Sequence, residues 1–137
     1  MIALLDRLRR FADRDYRAGH LSSRVRSSIA YQVRAIRQKL GLTQKGMGER
    51  IGKSQSVVAR MENDDYGRLT VQSLLDVAIG ADVALVIRFV SYPDFLQQMS
   101  DMSSAALQPQ NIYETLEAQN VERTTEEMFG PTVNVFD

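Results

Sequence analysis

Apolar residues recur along the first eighty positions at the spacing of one helical face, interrupted by small or polar residues that start and stop helices. Ile2, Leu5, Leu8, Ala12 and Tyr16 line one side of a helix over about residues 2–18. Ser22-Ser23 can cap a second helix with Ile29, Val33, Ile36 and Leu40 inward, which Gly41 closes. Thr43 opens a short helix carrying Met47 and Ile51. After Gly52, Ser54 opens another with Val58 and Met61 on its inner side. Thr70 opens a third with Val71, Leu74, Leu75, Ala78 and Ile79.

The period then changes. From Val83 to Val90 the chain is rich in β-branched residues, with Val83, Leu85, Ile87 and Phe89 on one face and Ala84, Val86, Arg88 and Val90 on the other. That alternation predicts a β-strand. Pro93 ends it, and Phe95 to Met102 fits a short helix. A single strand cannot satisfy its own ladder groups, so the pattern predicts antiparallel pairing with the same strand of a second protomer through Leu85, Val86, Ile87 and Phe89. Beyond residue 103, Ser, Gln, Asn, Thr and Glu dominate. Ile112, Leu116 and Val121 recur only weakly, and a small apolar cluster follows at Met128, Phe129, Val133, Val135 and Phe136. This composition reads as a flexible acidic tail that orders on a partner, or whose residues 132–136 cover the strand at 83–90 as an edge strand.

The expected architecture is mainly α. An N-terminal helical extension (1–22) precedes a five-helix domain (23–82), then a dimerisation strand with a short helix (83–102) and the tail (103–137). A length of 137 residues suits one domain, and 44% hydrophobic with 25% charged residues is ordinary globular composition. The chain holds no cysteine, which removes disulfides, thiol catalysis and cysteine-ligated metals. Charges at Asp6 and Arg7 interrupt any signal-length apolar run, and no segment approaches a membrane span; a cytoplasmic protein with no membrane partner is expected.

The zero net charge conceals a strong asymmetry. Residues 23–63 carry nine Lys or Arg against Glu49 and Glu62 alone. Residues 64–102 carry two Arg against six Asp, and residues 103–137 carry Arg123 against six acids. A basic surface concentrated in one segment suits a polyanion. Enzymatic chemistry has little to stand on. His20 is the only histidine, so a metal site of three or more soft ligands cannot be assembled, a Ser-His-Asp triad has no motif to support it, and no catalytic residue, metal or cofactor is expected. The glycines at 41, 46 and 48 lack the Lys-Ser/Thr that a phosphate loop requires.

The informative stretch is residues 43–62, two short helices joined by a turn holding Gly52. This is the plan of a helix-turn-helix, whose second helix enters the major groove. On a helical wheel Ser54, Val58 and Met61 share one side, while Gln55, Ser56, Ala59 and Arg60 share the other. Gln and Arg match adenine and guanine edges, and Ala59 lets the backbone approach a thymine methyl. Lys53 and its basic neighbours, Arg24, Arg26, Arg34, Lys45 and Arg50, can meet phosphates. Two glycines, Gly46 and Gly48, sit inside the first of the two helices, each at a propensity cost of up to ~1 kcal/mol.

Residues of about 28–80 resemble the lambda-repressor/Cro-type helix-turn-helix domain, the XRE family. The resemblance rests on Leu42-Thr43-Gln44, Met47, Gly52, Ser54-Gln55, Val58 and Glu62-Asn63. The stretches 62–70 and 82–90 are similar to a subset holding phage-type repressors and antitoxins. The resemblance implies that Gln55, Ser56 and Arg60 touch bases, that Gln44 and Asn63 touch phosphates, and that Arg37 and Glu62 form a structural ion pair. It implies a transcriptional regulator, acting as a repressor that binds a palindromic site in double-stranded DNA as a homodimer. The alternative is an antitoxin that neutralises a toxin partner and represses its own operon.

Overall fold

The computed structural model describes residues 2–129, and among them the chain forms seven helices and no strand. In chain order they are α1 (Ile2–Arg10), α2 (Arg14–Lys39), α3 (Gln44–Ile51), α4 (Gln55–Met61), α5 (Val71–Ala81), α6 (Tyr92–Gln98) and α7 (Ile112–Phe129). Val133, Val135 and Phe136, with the edge strand expected at 132–136, lie outside the described residues, as do the side chains of Ile2, Val121 and Phe129.

The helix starts follow local chemistry. The hydroxyl of Thr43 accepts the Gly46 amide at 3.0 Å, that of Ser54 accepts Val57 at 3.3 Å, and that of Thr70 accepts Ser73 at 3.1 Å. Each satisfies one amide that the first helical turn leaves open, a contribution of about 1 kcal/mol. Gly52 ends α3 with φ +70°, where a side chain would be strained.

Two boundaries in the N-terminal part of the chain differ from the sequence expectation. The helix expected over 2–18 breaks at residues 11–13, because Asp13 is a strong cap whose carboxylate accepts the Tyr16 amide at 2.8 Å. The broken turn also buries Phe11, whose carbonyl takes a hydrogen bond from the Arg17 guanidinium at 2.8 Å. With its start set at Asp13, α2 runs unbroken through Ser22-Ser23, so these serines cap nothing and the 22/23 boundary falls inside a helix.

The main core gathers Val33 of α2, Met47 of α3, Val58 and Met61 of α4 and Val77 of α5, with Ile29, Ile36, Leu40 and Ile51 packed around them. A second core joins the first two helices to α6. Phe11 stacks on Tyr92 at 4.8 Å between centroids and meets His20 edge-on at 4.9 Å, while Phe95 and Leu96 complete the cluster. His20 is therefore an aromatic packing residue at a helix junction.

The expected strand is absent. Residues 83–90 are neither helix nor strand, since a ladder needs a partner and no other segment of the described chain forms one with it. Ser91 caps α6 in place of a helix starting at Phe95, so that helix lies over Tyr92–Gln98, earlier than the expected 95–102. The acidic segment differs most. Residues 112–129 are helical, and the approach to α7 is tied to the domain. Gln108 donates to the Ala35 carbonyl at 3.1 Å, Lys39 pairs with Glu114 at 2.9 Å, and the Ile112 amide donates to the Asp82 carbonyl at 2.9 Å. Its weak apolar spacing concealed a helix whose approach and first turn are held by polar anchors.

Candidate nucleic-acid interface

The two helices of the 43–62 stretch meet at Gly48 and the turn after it. A Cβ on Gly48 would stand 2.5 Å from the Lys53 carbonyl oxygen, so this glycine lets the turn backbone lie against α3. Gly46 has more room: a Cβ there would lie 3.3 Å from the Thr43 hydroxyl. Behind the turn, Glu62 is buried and held by Arg37, with Arg34 also 3.6 Å from its Oε1. That carboxylate, acting through its hydrogen bonds, holds the Arg37 guanidinium above its already high ordinary pKa.

The outward side of α4 is polar. Gln55, Ser56 and Arg60 are exposed, while Val58 and Met61 are buried. Ala59 is half-buried. Ser54 departs from the wheel, which put it with the inner residues: as a cap it turns its hydroxyl to the Val57 amide and to Ser56, and it is exposed. Gln44, in the first turn of α3, accepts from the Gln55 side chain at 3.4 Å, so the starts of the two helices share one polar edge. Arg60 lies over the Tyr66 ring at 5.7 Å and donates to the Ser56 carbonyl at 3.3 Å, which orients its guanidinium along the helix. The exposed Asn63 side-chain oxygen closes a turn onto the Asp65 amide at 2.9 Å, leaving its NH2 group available.

The basic neighbours divide into engaged and open. Lys53 pairs with Asp76 at 3.0 Å, and that aspartate lies below the usual carboxylate range through hydrogen bonds from Gln72 first and Lys53 second. Arg50 bonds the Gly80 carbonyl and faces Asp82 at 3.6 Å. Arg24 donates to the Met99 carbonyl at 3.0 Å. Lys45 is exposed and has no hydrogen bond or ion pair among the described residues. The Lys53–Asp76 and Arg60–Tyr66 contacts had no signal in the sequence, where the second members are an unremarkable helix acid and a loop tyrosine.

Residues 33–85 match the family model described as Helix-turn-helix. This stretch, less than half of the chain, is similar to a helix-turn-helix domain. In this domain α3 and α4 are the paired helices, and α4 occupies the place of the helix that reads DNA. Neither curated proteins nor solved structures gave a match. The match supports DNA binding by residues 33–85; α1, α6 and α7 lie outside the matched residues.

Proposed function

We propose that the chain is a sequence-specific repressor that binds a palindromic operator as a homodimer. The observation that carries this reading is the outward arc of α4, where Gln55, Ser56 and Arg60 stand exposed on a helix anchored by buried Val58 and Met61. In this reading Gln55 and Arg60 make bidentate contacts to base edges, Ser54, Ser56 and Ala59 line the approach, and Gln44, Lys45 and Asn63 meet phosphates. Lys53 reaches a phosphate only by leaving Asp76.

Support for a dimer comes from residues 84–90, whose backbone groups have no hydrogen-bond partner in the described chain. Val86, Ile87 and Phe89 are exposed there, Phe89 completely. Pairing two copies of this stretch satisfies both edges and sets two α4 helices against half-sites about 34 Å apart or a multiple of it. Selection of bound duplexes from a random pool tests the whole reading. An inverted repeat with half-sites spaced by whole helical turns is expected; a pool that stays random after selection contradicts sequence-specific binding.

A further inference from the structure

We propose that the cavity between α2, the 63–69 loop and the 88–99 stretch binds a small apolar molecule carrying a carboxylate. Its volume of about 640 Å³ lies within the ordinary range of small-molecule sites. The walls are apolar side chains from three places: Val25 and Ile29 of α2, Leu69 of the loop, and Phe95 and Met99 near α6. Among the described residues two cations, Arg26 and Arg88, line it, and no Asp or Glu does. Neither arginine has a hydrogen bond or ion pair among the described residues, although most of the other basic groups of α2 to α4 are engaged. An apolar space lined by two guanidinium groups that have no protein partner among the described residues is complementary to an anion with an apolar body. The apolar walls favour a singly charged carboxylate over a polyphosphate, whose further charges would be desolvated without partners.

The site is joined to the helix-turn-helix. Met61, the last residue of α4, forms part of the wall, as do Asn63 and Gly67. The Arg26 side chain packs so closely on Gly67 that a Cβ there would lie 2.7 Å from its Nε. A carboxylate that draws Arg26 inward removes this support from the loop that follows α4. This coupling rests on the proposed DNA-reading role; the binding site itself does not.

Calorimetric titration of the full chain without DNA tests the site, using decanoate, dodecanoate and 4-phenylbutanoate, with decanol as the uncharged control. Decanoate is expected to bind at least about tenfold more tightly than decanol, the smallest gain a single charged hydrogen bond should give. The Arg26→Met/Arg88→Met double variant is expected to bind the two alike. Both arginines are exposed, so an unchanged melting temperature should accompany that loss. No binding of any of the three acids up to about 1 mM, or equal binding of decanoate and decanol by the unaltered chain, overturns the proposal. Titration of selected duplex with and without decanoate then tests the coupling: a changed DNA affinity supports it, and an unchanged one removes the coupling while leaving the site.

Discussion

Arg37 grips Glu62 through two parallel hydrogen bonds, from Nε to Oε2 at 2.7 Å and from Nη2 to Oε1 at 2.8 Å, while its Nη1 donates to the Leu42 carbonyl at 3.0 Å. One guanidinium thus joins the end of α2, the loop before α3 and the end of α4. The Glu62 side chain is only 2% exposed, so Arg37→Ala would strand a buried carboxylate that Arg34, half-exposed at 3.6 Å, compensates only in part. A loss of roughly 3–5 kcal/mol is expected in urea unfolding. A loss below about 1 kcal/mol would show that the pair is not a structural anchor.

Gly48→Ala should destabilise the domain although alanine is the better helix former by up to ~1 kcal/mol. The new Cβ would meet backbone at the Lys53 carbonyl, which cannot swing aside as a side chain can. Gly46→Ala, whose Cβ would face the Thr43 hydroxyl, should cost less. Thermal melts of the two variants check the order, and a more stable Gly48→Ala protein would contradict the close packing of the turn.

In the proposed interface, Gln55→Ala and Arg60→Ala should each relax preference at one or two operator positions by ~1–3 kcal/mol. Lys45→Ala should weaken binding to every duplex and flatten its salt dependence, whereas Lys53→Ala, which loses Asp76 first, should change that dependence less. Titrations on operator and scrambled duplex over a range of salt separate these effects. Equal losses on both duplexes would remove Arg60 from base reading.

Val86→Pro should abolish strand-mediated assembly, since proline lacks the ladder donor and Val86 is too exposed for the change to disturb the core. Sedimentation velocity reads the result. A dimer that persists unchanged would place the interface elsewhere.

Glu114 sits below the usual carboxylate range, chiefly through its hydrogen bond from Lys39 and next through the Asn111 amide. A carboxylate with a depressed pKa in the folded state adds stability above its unfolded pKa and loses it as pH falls through the folded value. Attachment of α7 should therefore weaken as pH drops below the carboxylate range, and Lys39→Met should reduce that dependence. Hydrogen exchange of the 112–120 amides against pH measures it; identical profiles for both proteins would show that this pair does not hold the helix.

Local chemistry alone settled much of the domain. The caps at Thr43, Ser54 and Thr70 and the stops at Gly41 and Gly52 act across three or four residues, and the inward positions of Val33, Met47, Val58 and Met61 follow from helical period. The polar arc of Gln55, Ser56 and Arg60 was legible for the same reason. Tertiary structure decided the rest, through contacts between residues far apart in sequence. Burial of Phe11 among Tyr92, His20 and Phe95 accompanies the break between α1 and α2. Asp76, remote from the turn in sequence, claimed Lys53, and Lys39 reached 75 residues along the chain to hold α7. Residues 83–90 show the limit from the other side: their alternation is a strand pattern, but a strand exists only where a second ladder meets it, and a single chain supplies none among its described residues.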